Sequence, residues 1–502
     1  MRPEQAPTPA PPAPSRPLSA GGALALAMAI GALAAFAYVA LPQPVGHQYD
    51  LYWMLPRLLD GPLDYPRHPL AFPFLDAVAR WLAPFGGSLH ERLQATSGLC
   101  TGLAVGIYTH AAWRLGRERW FAAWAGVLFA CLPSVVHFAT VFELHGPFLP
   151  FAALATWCTG SLVLAPTHRQ PLLVVPVGLC TALASTMHAT GHLLLGCFAI
   201  WICVEQRRAG CSLRRSLLGV ALLLAVHMAG VVAIAWLVLE GPGAAPTSEQ
   251  AAFLLTGRFS AVDLHRVITA EWIVPFLPVS LLWLPGWPRR HPGLAWALAV
   301  AVPAYLAVCQ VLFVVPGDGY VLHERGAYLL PLAFGAVVLT TAALRTRGRL
   351  VVLLVAVGVA TWQWRHPPAA SPDAAFGQAA ARYLRTHEHR LFVGGTDELG
   401  GVFDAIVDDA VLRRRLTEVF SVDQFVWYTR ENGATTADQL GLALHPRLVG
   451  KPTVITAAAL AGLRARNGIH RELADRVLPA FFTLQPLEPG DGGLQAYRLD
   501  AR

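Results

Sequence analysis

The sequence predicts an α-helical membrane protein that crosses the bilayer many times and ends in a small soluble α/β domain. Hydrophobic residues make up 55% of the 502 residues and charged residues only 14%, whereas soluble domains carry roughly 25% charged residues. The mean hydropathy is +0.47. Apolar runs long enough to span a bilayer, about 20 residues each, recur as far as residue 364.

The chain begins with a Pro/Ala-rich stretch, 1–18, that lacks periodicity and is expected to form a disordered cytoplasmic tail. The apolar run 19–41 exceeds the about 7–15 residues of a signal-peptide core, so it predicts an uncleaved span. With it, the apolar runs make about 11 predicted spans. The others are 93–113, 120–139, 147–165, 171–187, 189–204, 216–239, 268–287, 294–315, 327–344 and 350–364.

Arginines alternate with the predicted spans in a way that indicates orientation. If the N-terminus is cytoplasmic, the short inner loops hold most of the interhelical arginines, as the positive-inside rule requires. They are Arg114, Arg117, Arg119, Arg169, Arg207, Arg208, Arg214, Arg215, Arg289, Arg290, Arg345, Arg347 and Arg349. The net charge of +7 is therefore taken to reflect the orientation of the protein in the membrane. The sequence does not predict nucleic-acid binding, because no basic helix or basic-aromatic module is present.

An odd number of spans places the last segment, 365–502, outside the cytoplasm. A proline linker precedes a predicted helix at 374–386, and a second helix is predicted at 457–466. Strands are predicted from Arg390, Pro452, Phe481 and Leu494. The prediction is a small extracytoplasmic α/β domain, separate from a membrane domain at 19–364 that contains an outer loop at 42–92. Two glycine pairs, 394–395 and 400–401, lack the spacing of a phosphate loop and indicate turns. The expected location is a bacterial inner (plasma) membrane.

The eight cysteines lie mainly in apolar runs and give no disulfide framework or metal-ligand spacing. They are Cys100, Cys131, Cys158, Cys180, Cys197, Cys203, Cys211 and Cys309. We expect them to be small buried residues. No metal site is predicted, and a requirement for a divalent metal is left open.

Polar residues at the outer ends of the spans are the candidates for chemistry. An ionisable side chain at membrane depth costs about 2.5–3.5 kcal/mol on insertion scales, so it usually faces a cavity or marks a site. Five places share the predicted outer side. They are Asp50; His68; Glu143 with His145; His188 with His192; and His323-Glu324-Arg325.

Asp50 lies in the first outer loop among tyrosine and tryptophan residues. A carboxylate there could take a proton from an acceptor hydroxyl as it attacks a sugar carbon, or steady positive charge at that carbon. A helix cap or a solvated loop acid is the alternative. Asp64 is a competitor, and Asp60 fits a turn. His68 precedes a proline, which biases it toward extended geometry, and it could contact a phosphate or sugar hydroxyl or be structural.

Glu143 and His145 flank a helix-helix turn, where they could hold a sugar or an amine, or simply form a wet interface. His188 and His192 are four residues apart and would share a helix face. They could bind a metal, but no third ligand is evident, and hydrogen-bonded core or rim histidines are the alternative. Arg325 suits bidentate phosphate recognition, with a lipid-headgroup contact as the alternative.

The order and sidedness of four motifs resemble the GT-C superfamily of polyprenyl-phosphate-sugar-dependent membrane glycosyltransferases, which includes protein O-mannosyltransferase and lipid A sugar-transferase families. The resemblance covers roughly Gly21 to Leu344. The motifs are Tyr49-Asp50 followed by His68-Pro69-Leu70; Glu91-Arg92-Leu93 with Trp113-Arg114-Leu115-Gly116; Phe142-Glu143-Leu144; and Glu324-Arg325 through Leu330-Pro331. Two departures are Leu51, where many relatives have a second acid, and Tyr328, three residues after Arg325 instead of one.

The resemblance implies that Asp50 is the catalytic base and that Glu143 and Arg325 line the donor or acceptor cavity. His68, His145, His188 and Glu324 are the further candidate substrate-binding residues. The expected reaction moves a sugar from a polyprenyl-phosphate-linked donor to a lipid, glycan or protein acceptor outside the membrane. No cofactor is predicted beyond this lipid-linked donor substrate. The alternatives are an inactive GT-C-like scaffold subunit and a transporter or flippase of lipid-linked sugars, although no inverted repeat is evident.

Overall fold

The fold is taken from a computed structural model that describes most of the membrane helices and most of the C-terminal sheet. The described residues are 19–41, 54–55, 58, 63, 68–166, 170–239, 263–283, 291–315, 319–320, 325–366, 373–407, 409, 411–422, 436–439, 441–442, 452–466, 468–487 and 494–501. The predicted tail at 1–18, Asp50 and Glu324 lie outside them. Every structural statement below concerns the described part of the chain.

The described part of the chain before residue 366 consists mainly of apolar helices. In order they are α1 (Ala20–Ala40), α2 (Ala71–Leu82), α3 (Leu89–Gly116), α4 (Arg119–Ala130), α5 (Pro133–Thr140), α6 (His145–Leu164), α7 (Gln170–Met187), α8 (Gly191–Arg208), α9 (Leu213–Leu239), α10 (Leu264–Ile268), α11 (Val279–Leu282), α12 (Pro292–Phe313), α13 (Leu330–Ala343) and α14 (Thr346–Arg365). A two-stranded ribbon of β1 (Val314–Val315) and β2 (Gly319–Tyr320) follows α12.

Four of the described helices are long and apolar enough to cross a membrane: α1, α6, α9 and the Pro292–Val311 part of α12. The helices α4 and α5 qualify together as a fifth, bent by 61° at Cys131–Leu132. The chain is thus a multi-pass membrane protein. The predicted count of about 11 spans is not confirmed, although most predicted spans coincide with a helix.

The predicted span 268–287 is not one continuous helix. The short α10 passes into a π-helical turn, Thr269–Ile273, and α11 follows only at Val279. Two prolines, Pro275 and Pro278, lie in this break, and proline cannot supply the backbone N–H that a continuous helix needs. The apolar character of this segment was predicted correctly, but its two prolines interrupt the helix.

Close backbone contact holds α1 against α3. A Cβ atom added at Gly102 would lie 2.6 Å from the backbone of Ala35, and one at Gly31 would lie 2.9 Å from the carbonyl oxygen of Gly102. Small residues at such positions let membrane helices approach closely. A capping box at Ser88 and Glu91, in which each side chain accepts from the other residue's backbone N–H, fixes where α3 begins.

The C-terminal segment forms a five-stranded mixed sheet with flanking helices. Its strands are β3 (Arg390–Val393), β4 (Val419–Ser421), β5 (Thr453–Thr456), β6 (Phe482–Pro486) and β7 (Ala496–Ala501), in the order β4-β3-β5-β7-β6. The β3 strand pairs in parallel with β4 and β5, and β7 pairs antiparallel with β5 and β6. Helices are α15 (Ala374–Thr386), α16 (Thr396–Ile406), α17 (Ala457–Ala465), α18 (Ile469–Glu472) and α19 (Leu478–Phe481).

The small C-terminal α/β fold predicted from sequence agrees with this sheet. Predicted strands coincide with β3, β5, β6 and β7, and predicted helices with α15 and α17. The strand β4 and the helix α16 were not predicted from the sequence. The β4 strand has only three residues, and its burial comes from its place beside β3. The division into a membrane domain at 19–364 and a soluble domain at 365–502 stays a prediction.

Candidate functional site

The turn between α7 and α8 carries His188, which lies at the centre of a buried group of rings. The turn is tight: a Cβ atom on Gly191 would lie 2.5 Å from the backbone nitrogen of Ser185. The imidazole of His188 is 6% exposed. Its ring centroid lies 4.8 Å from that of His68, 4.3 Å from that of His145 and 5.9 Å from that of Tyr328. We call His68, His145 and His188 the histidine cluster.

A backbone contact brings His68 to the cluster. The N–H of Leu70 donates to the carbonyl oxygen of Thr186 over 3.1 Å, which ties the start of α2 to the end of α7. The His68 ring then stacks on His188 with an angle of 12° between the planes. The His-Pro corner predicted from sequence therefore has a definite place, next to a histidine 120 residues later.

Glu143 caps the helix that carries His145. The backbone N–H of His145, at the first position of α6, donates to Glu143 Oε2 over 2.9 Å. A carboxylate is favourable at a helix N-terminus, because the first N–H groups have no helical partner. The same Oε2 lies 3.6 Å from His145 Nε2, and both side chains are almost fully buried. Glu143 therefore orients both the backbone and the ring of His145.

These contacts favour one tautomer of His145. A proton on Nε2 would face the Glu143 carboxylate, which leaves Nδ1 as a hydrogen-bond acceptor. Nδ1 is buried and makes no hydrogen bond to any described residue. A buried acceptor without a donor costs roughly 1–3 kcal/mol. A donor from a bound molecule, such as a sugar hydroxyl, would remove that cost.

His188 is fixed in the same tautomer, but by its own loop. The backbone N–H of Thr190 donates to His188 Nδ1 over 3.3 Å, and the Thr190 hydroxyl lies 2.8 Å from the same nitrogen. Because Nδ1 accepts, the neutral ring carries its hydrogen on Nε2. Burial lowers the pKa of His188 to about 3. At neutral pH the side chain is an uncharged donor and does not act as a cation.

Arg325 lies on a left-handed turn with Gly326. Their φ angles are 51° and 77°. The N–H of Gly326 donates to Glu271 Oε2 over 2.8 Å, and Glu271 is fully buried. A Cβ atom on Gly326 would lie 2.6 Å from the ring of Phe276, so only glycine fits this close approach. We call Arg325, Gly326 and Glu271 the arginine turn.

Arg325 remains cationic at neutral pH despite its burial. Burial lowers its pKa to about 10, and the nearby Glu271 carboxylate opposes that change. Nη1 lies 3.2 Å from His137 Nδ1, and the guanidinium can only donate, so His137 accepts. The arginine turn thus presents a partly desolvated positive charge, which binds an anion more strongly than a solvated one would.

Aromatic rings connect the arginine turn to the histidine cluster. The ring of Phe138 lies 5.0 Å from that of His137 and 5.2 Å from that of His145. Tyr328, three residues after Arg325, lies 5.6 Å from His145. The structure therefore brings together His68, Glu143, His145, His188 and Arg325 from the predicted candidates.

The paired role predicted for His188 and His192 is wrong in one respect. His188 lies in the turn before α8 and His192 on α8, so they do not act as one helix face. His192 Nδ1 lies 3.0 Å from His227 Nε2, and His227 Nδ1 lies 3.1 Å from the Thr181 hydroxyl. No group of three or more His, Cys, Asp or Glu residues in the described chain is arranged to hold a metal ion.

Three residues of the site were missed in the sequence analysis: His137, Glu271 and Tyr328. For His137 and Glu271 a signal existed, since both are ionisable and lie inside predicted spans, where such residues are costly and usually functional. Tyr328 was noted only as a departure from the family motif. Its contacts with His145 and His188 depend on how α13 packs, which no local pattern gives.

A solved structure of a known protein shares this architecture. ArnT from Cupriavidus metallidurans bound to undecaprenyl phosphate is similar over 96% of this chain and 98% of that chain, with 15% sequence identity and a TM-score of 0.51. ArnT belongs to the GT-C superfamily. The chain has the GT-C fold. The likeness is to the fold alone, because the sequence identity is low.

The Archaeoglobus fulgidus oligosaccharyltransferase in complex with Zn and sulfate is also similar, over 95% of this chain and 73% of that chain. Its identity is 12% and its TM-score 0.47, which is too low to support an argument. No protein-family model matches the chain, and no curated protein matches it significantly. The GT-C fold expected from the four motifs is confirmed by the structural comparison.

Proposed function

We propose that the protein is a membrane glycosyltransferase that uses a polyprenyl-phosphate-linked sugar as donor. The acceptor would be a lipid, glycan or protein hydroxyl or amine on the outer side of the membrane. One observation carries this proposal. Hydrogen-bond donors, hydrogen-bond acceptors and one cationic side chain, from five parts of the sequence that lie far apart, come together at adjoining helix ends of a GT-C fold. The solved ArnT structure was bound to undecaprenyl phosphate, which agrees with a lipid-linked donor.

Arg325 is the residue we assign to the donor phosphate. It is cationic, partly buried and held on a turn whose geometry Glu271 and Gly326 fix. Its guanidinium can bind a phosphate through two parallel N–H···O bonds, which a lysine cannot. As the glycosidic C–O bond breaks, negative charge grows on the leaving lipid phosphate. A fixed cation stabilises that charge most in the transition state.

The histidine cluster is the place we assign to the sugar or the acceptor. His145 Nδ1 is a buried acceptor without a donor among the described residues, and neutral His188 supplies a donor at Nε2. A sugar hydroxyl can both donate and accept, so it could satisfy both groups. The aromatic rings of Phe148 and Tyr328 beside His188 would cover an apolar face of the sugar.

Asp50 is proposed as the general base, on the sequence and the family resemblance. It would take the proton of the acceptor nucleophile as the new C–O or C–N bond forms at the anomeric carbon. Glu324 is proposed as a further substrate-binding residue beside Arg325. Both lie outside the described residues. The sidedness, with the cytoplasmic N-terminus and the C-terminal domain outside a bacterial inner membrane, follows from the arginine distribution.

The test is transfer from a defined donor by protein in liposomes. Polyprenyl phosphate released from synthetic pentosyl and hexosyl donors is measured by mass spectrometry, with cell-envelope extract supplying acceptors. Hydrogen bonds to charged groups contribute about 1.5–3 kcal/mol, so Arg325→Gln should weaken donor binding by about 10–150-fold. Arg325→Lys should fall between the parent and this variant.

Arg266→Gln is the matched control, because it removes an exposed arginine that pairs with Asp263 on the helix just before Glu271. It should behave as the parent does. Donor use by Arg325→Gln at the parental level would remove Arg325 from the phosphate site. Donor binding without any release of polyprenyl phosphate, with every extract tried, would favour the inactive scaffold over the enzyme.

A further inference from the structure

A long groove runs along the outside of the helical bundle, away from the histidine cluster. It has a volume of about 820 Å³ and lies between α1, α3 and α6. Its walls are almost entirely apolar, with Leu24 and Met28 from α1, Leu103 from α3 and Leu154 from α6. From Ala20 to Ala35 of α1 its length is about 22 Å, at about 1.5 Å per helical residue.

The groove exists because α1 and α3 approach too closely for side chains to fill it. Gly102 and Gly106 line both the helix contact and the groove, and a Cβ atom on Gly106 would lie 3.1 Å from the carbonyl oxygen of Ala27. In a bilayer such a groove is filled, because empty space beside apolar side chains forfeits their dispersion contacts. Its length is a large part of the about 30 Å hydrocarbon thickness.

One end of the groove is polar, and its polar groups are hydrogen-bond donors. Trp157 Nε1 donates to His110 Nδ1 over 2.8 Å, and both residues line the groove. Because the indole can only donate, the neutral His110 carries its hydrogen on Nε2. That nitrogen makes no hydrogen bond within the described chain. The apolar groove therefore ends at a fixed N–H donor.

A cation stands beside this donor. Arg114 follows His110 by four residues, hence on the same face of α3, and its guanidinium carbon lies 5.7 Å from the centroid of the Trp157 ring. Its Nε is buried without a hydrogen-bond partner among the described residues. Arg117 lies one turn further on, 5.4 Å from the Trp113 ring. Tryptophan and arginine at a helix end are typical of the membrane interface.

We propose that this groove binds one anionic glycerophospholipid of the cytoplasmic leaflet. An acyl chain lies along α1 and α3, and the phosphate accepts hydrogen bonds from His110 and Arg114. Basic pockets between membrane helices on the cytoplasmic side bind anionic headgroups by this chemistry. A zwitterionic lipid would fit the groove, but it would bring a second cation close to Arg114 and Arg117. The occupant is distinct from the sugar donor, because His110 and Arg114 lie at the opposite end of α3 from the helix ends near the histidine cluster.

The test is native mass spectrometry of the full chain after exchange into equal amounts of phosphatidylglycerol and phosphatidylcholine. One phosphatidylglycerol should survive detergent washing that removes the other lipids. The exposed Ala32 lines the groove, so Ala32→Phe should fill the groove and reduce retention at least about tenfold. Leu33→Phe is the matched control, since Leu33 is 70% exposed and points away from the groove lining.

The headgroup contact has its own pair of variants. His110→Phe combined with Arg114→Gln should abolish the preference for phosphatidylglycerol, whereas Arg119→Gln, one arginine lost nearby, should keep it. Equal retention of both lipids by the parent would overturn the proposal. A dimer that Ala32→Phe dissociates would also overturn it, because a second copy of the chain would then fill the groove. Neither outcome depends on sugar transfer, so the two proposals can fail separately.

Discussion

In the histidine cluster, side chains separated by up to 120 residues meet away from water, whereas in the C-terminal sheet the charged side chains Arg498 and Glu398 have protein partners. Arg498 Nε lies 2.8 Å from Asp500 Oδ1, with 44% and 36% of the two side chains exposed. At the carboxyl ends of β3 and β5, Glu398 accepts hydrogen bonds from the N–H of Gly394 and the hydroxyl of Thr456. Thr456 in turn caps α17.

The difference separates polar groups that stabilise local structure from those positioned for a ligand. In the sheet, Arg498 and Glu398 are both satisfied by protein partners, and exposed pairs such as Arg498–Asp500 contribute little. In the histidine cluster, burial is costly and His145 Nδ1 has no donor among the described residues. Polar groups kept at such a cost usually have a role in binding. If this view is right, substitutions in the two regions should differ in kind.

The largest expected effect belongs to Asp50→Asn. Asparagine keeps the size and most hydrogen bonds but cannot accept the proton, so sugar transfer should slow by at least about a hundredfold, as expected for loss of a general base. Donor binding should be unchanged. The measurement is initial transfer rate per folded protein in liposomes.

Asp60→Asn is the control in the same predicted loop and should keep the parental rate. Sugar transfer by Asp50→Asn at the parental rate would show that Asp50 is not the general base. Asp64 or Glu143 would then be the next candidates. Loss of folded protein would instead identify Asp50 as a structural cap and would end its assignment as base.

Gly326→Ala should give the next largest effect. The added Cβ would lie 2.6 Å from the Phe276 ring, at a backbone φ of +77°. Overpacking typically costs about 1–3 kcal/mol, so donor affinity should fall by about 5–150-fold if the strain displaces Arg325. Gly358→Ala is the control, because nothing lies within 4 Å of its added Cβ. Unchanged donor affinity in folded Gly326→Ala would show that Arg325 does not depend on this turn.

A smaller change is expected for His188→Gln. A neutral hydrogen bond contributes about 0.5–1.5 kcal/mol, so its loss should lower the rate of sugar transfer by about 2–12-fold. Because burial lowers the pKa of His188 to about 3, its protonation should not shape the rate profile between about pH 5 and 8. A new inflection near neutral pH that disappears in the variant would contradict the neutral state of His188.

The same pKa gives the sign for stability. Unfolded histidine has a pKa of about 6.5, so protons bind the unfolded chain in preference to the folded one. The contribution of neutral His188 is complete above about pH 6.5 and declines as the pH falls toward 3. The loss of melting temperature from about pH 7.5 to pH 5 should therefore be smaller in His188→Gln than in the parent.

The smallest effect is expected for Arg498→Gln in the sheet. The Arg498–Asp500 pair is substantially exposed, and such pairs contribute about 0–1 kcal/mol. The free energy of unfolding should change within that range, and donor affinity and transfer should stay parental. A large loss of transfer in Arg498→Gln would break the comparison, since it would place part of the activity in the C-terminal sheet.

The sequence by itself determined the helical membrane character, the strands β3, β5, β6 and β7, and the polar residues that stand out against apolar surroundings. Hydrophobic length and alternation are local properties, and so are the motifs that resemble the GT-C superfamily. His68, Glu143, His145, His188 and Arg325 could be selected because an ionisable group in an apolar chain is conspicuous wherever it lies.

Only the tertiary structure decided which of these groups meet. The contact of His68 with His188 depends on a hydrogen bond from Leu70 to Thr186, and the position of Arg325 depends on Glu271 and Phe276, more than 40 residues earlier. The tertiary structure also shows that His192 contacts His227 and not His188, and that the predicted span 268–287 is interrupted at its prolines. These features result from packing between segments that are distant in the sequence, and such packing cannot be deduced from the spacing of residues along the chain.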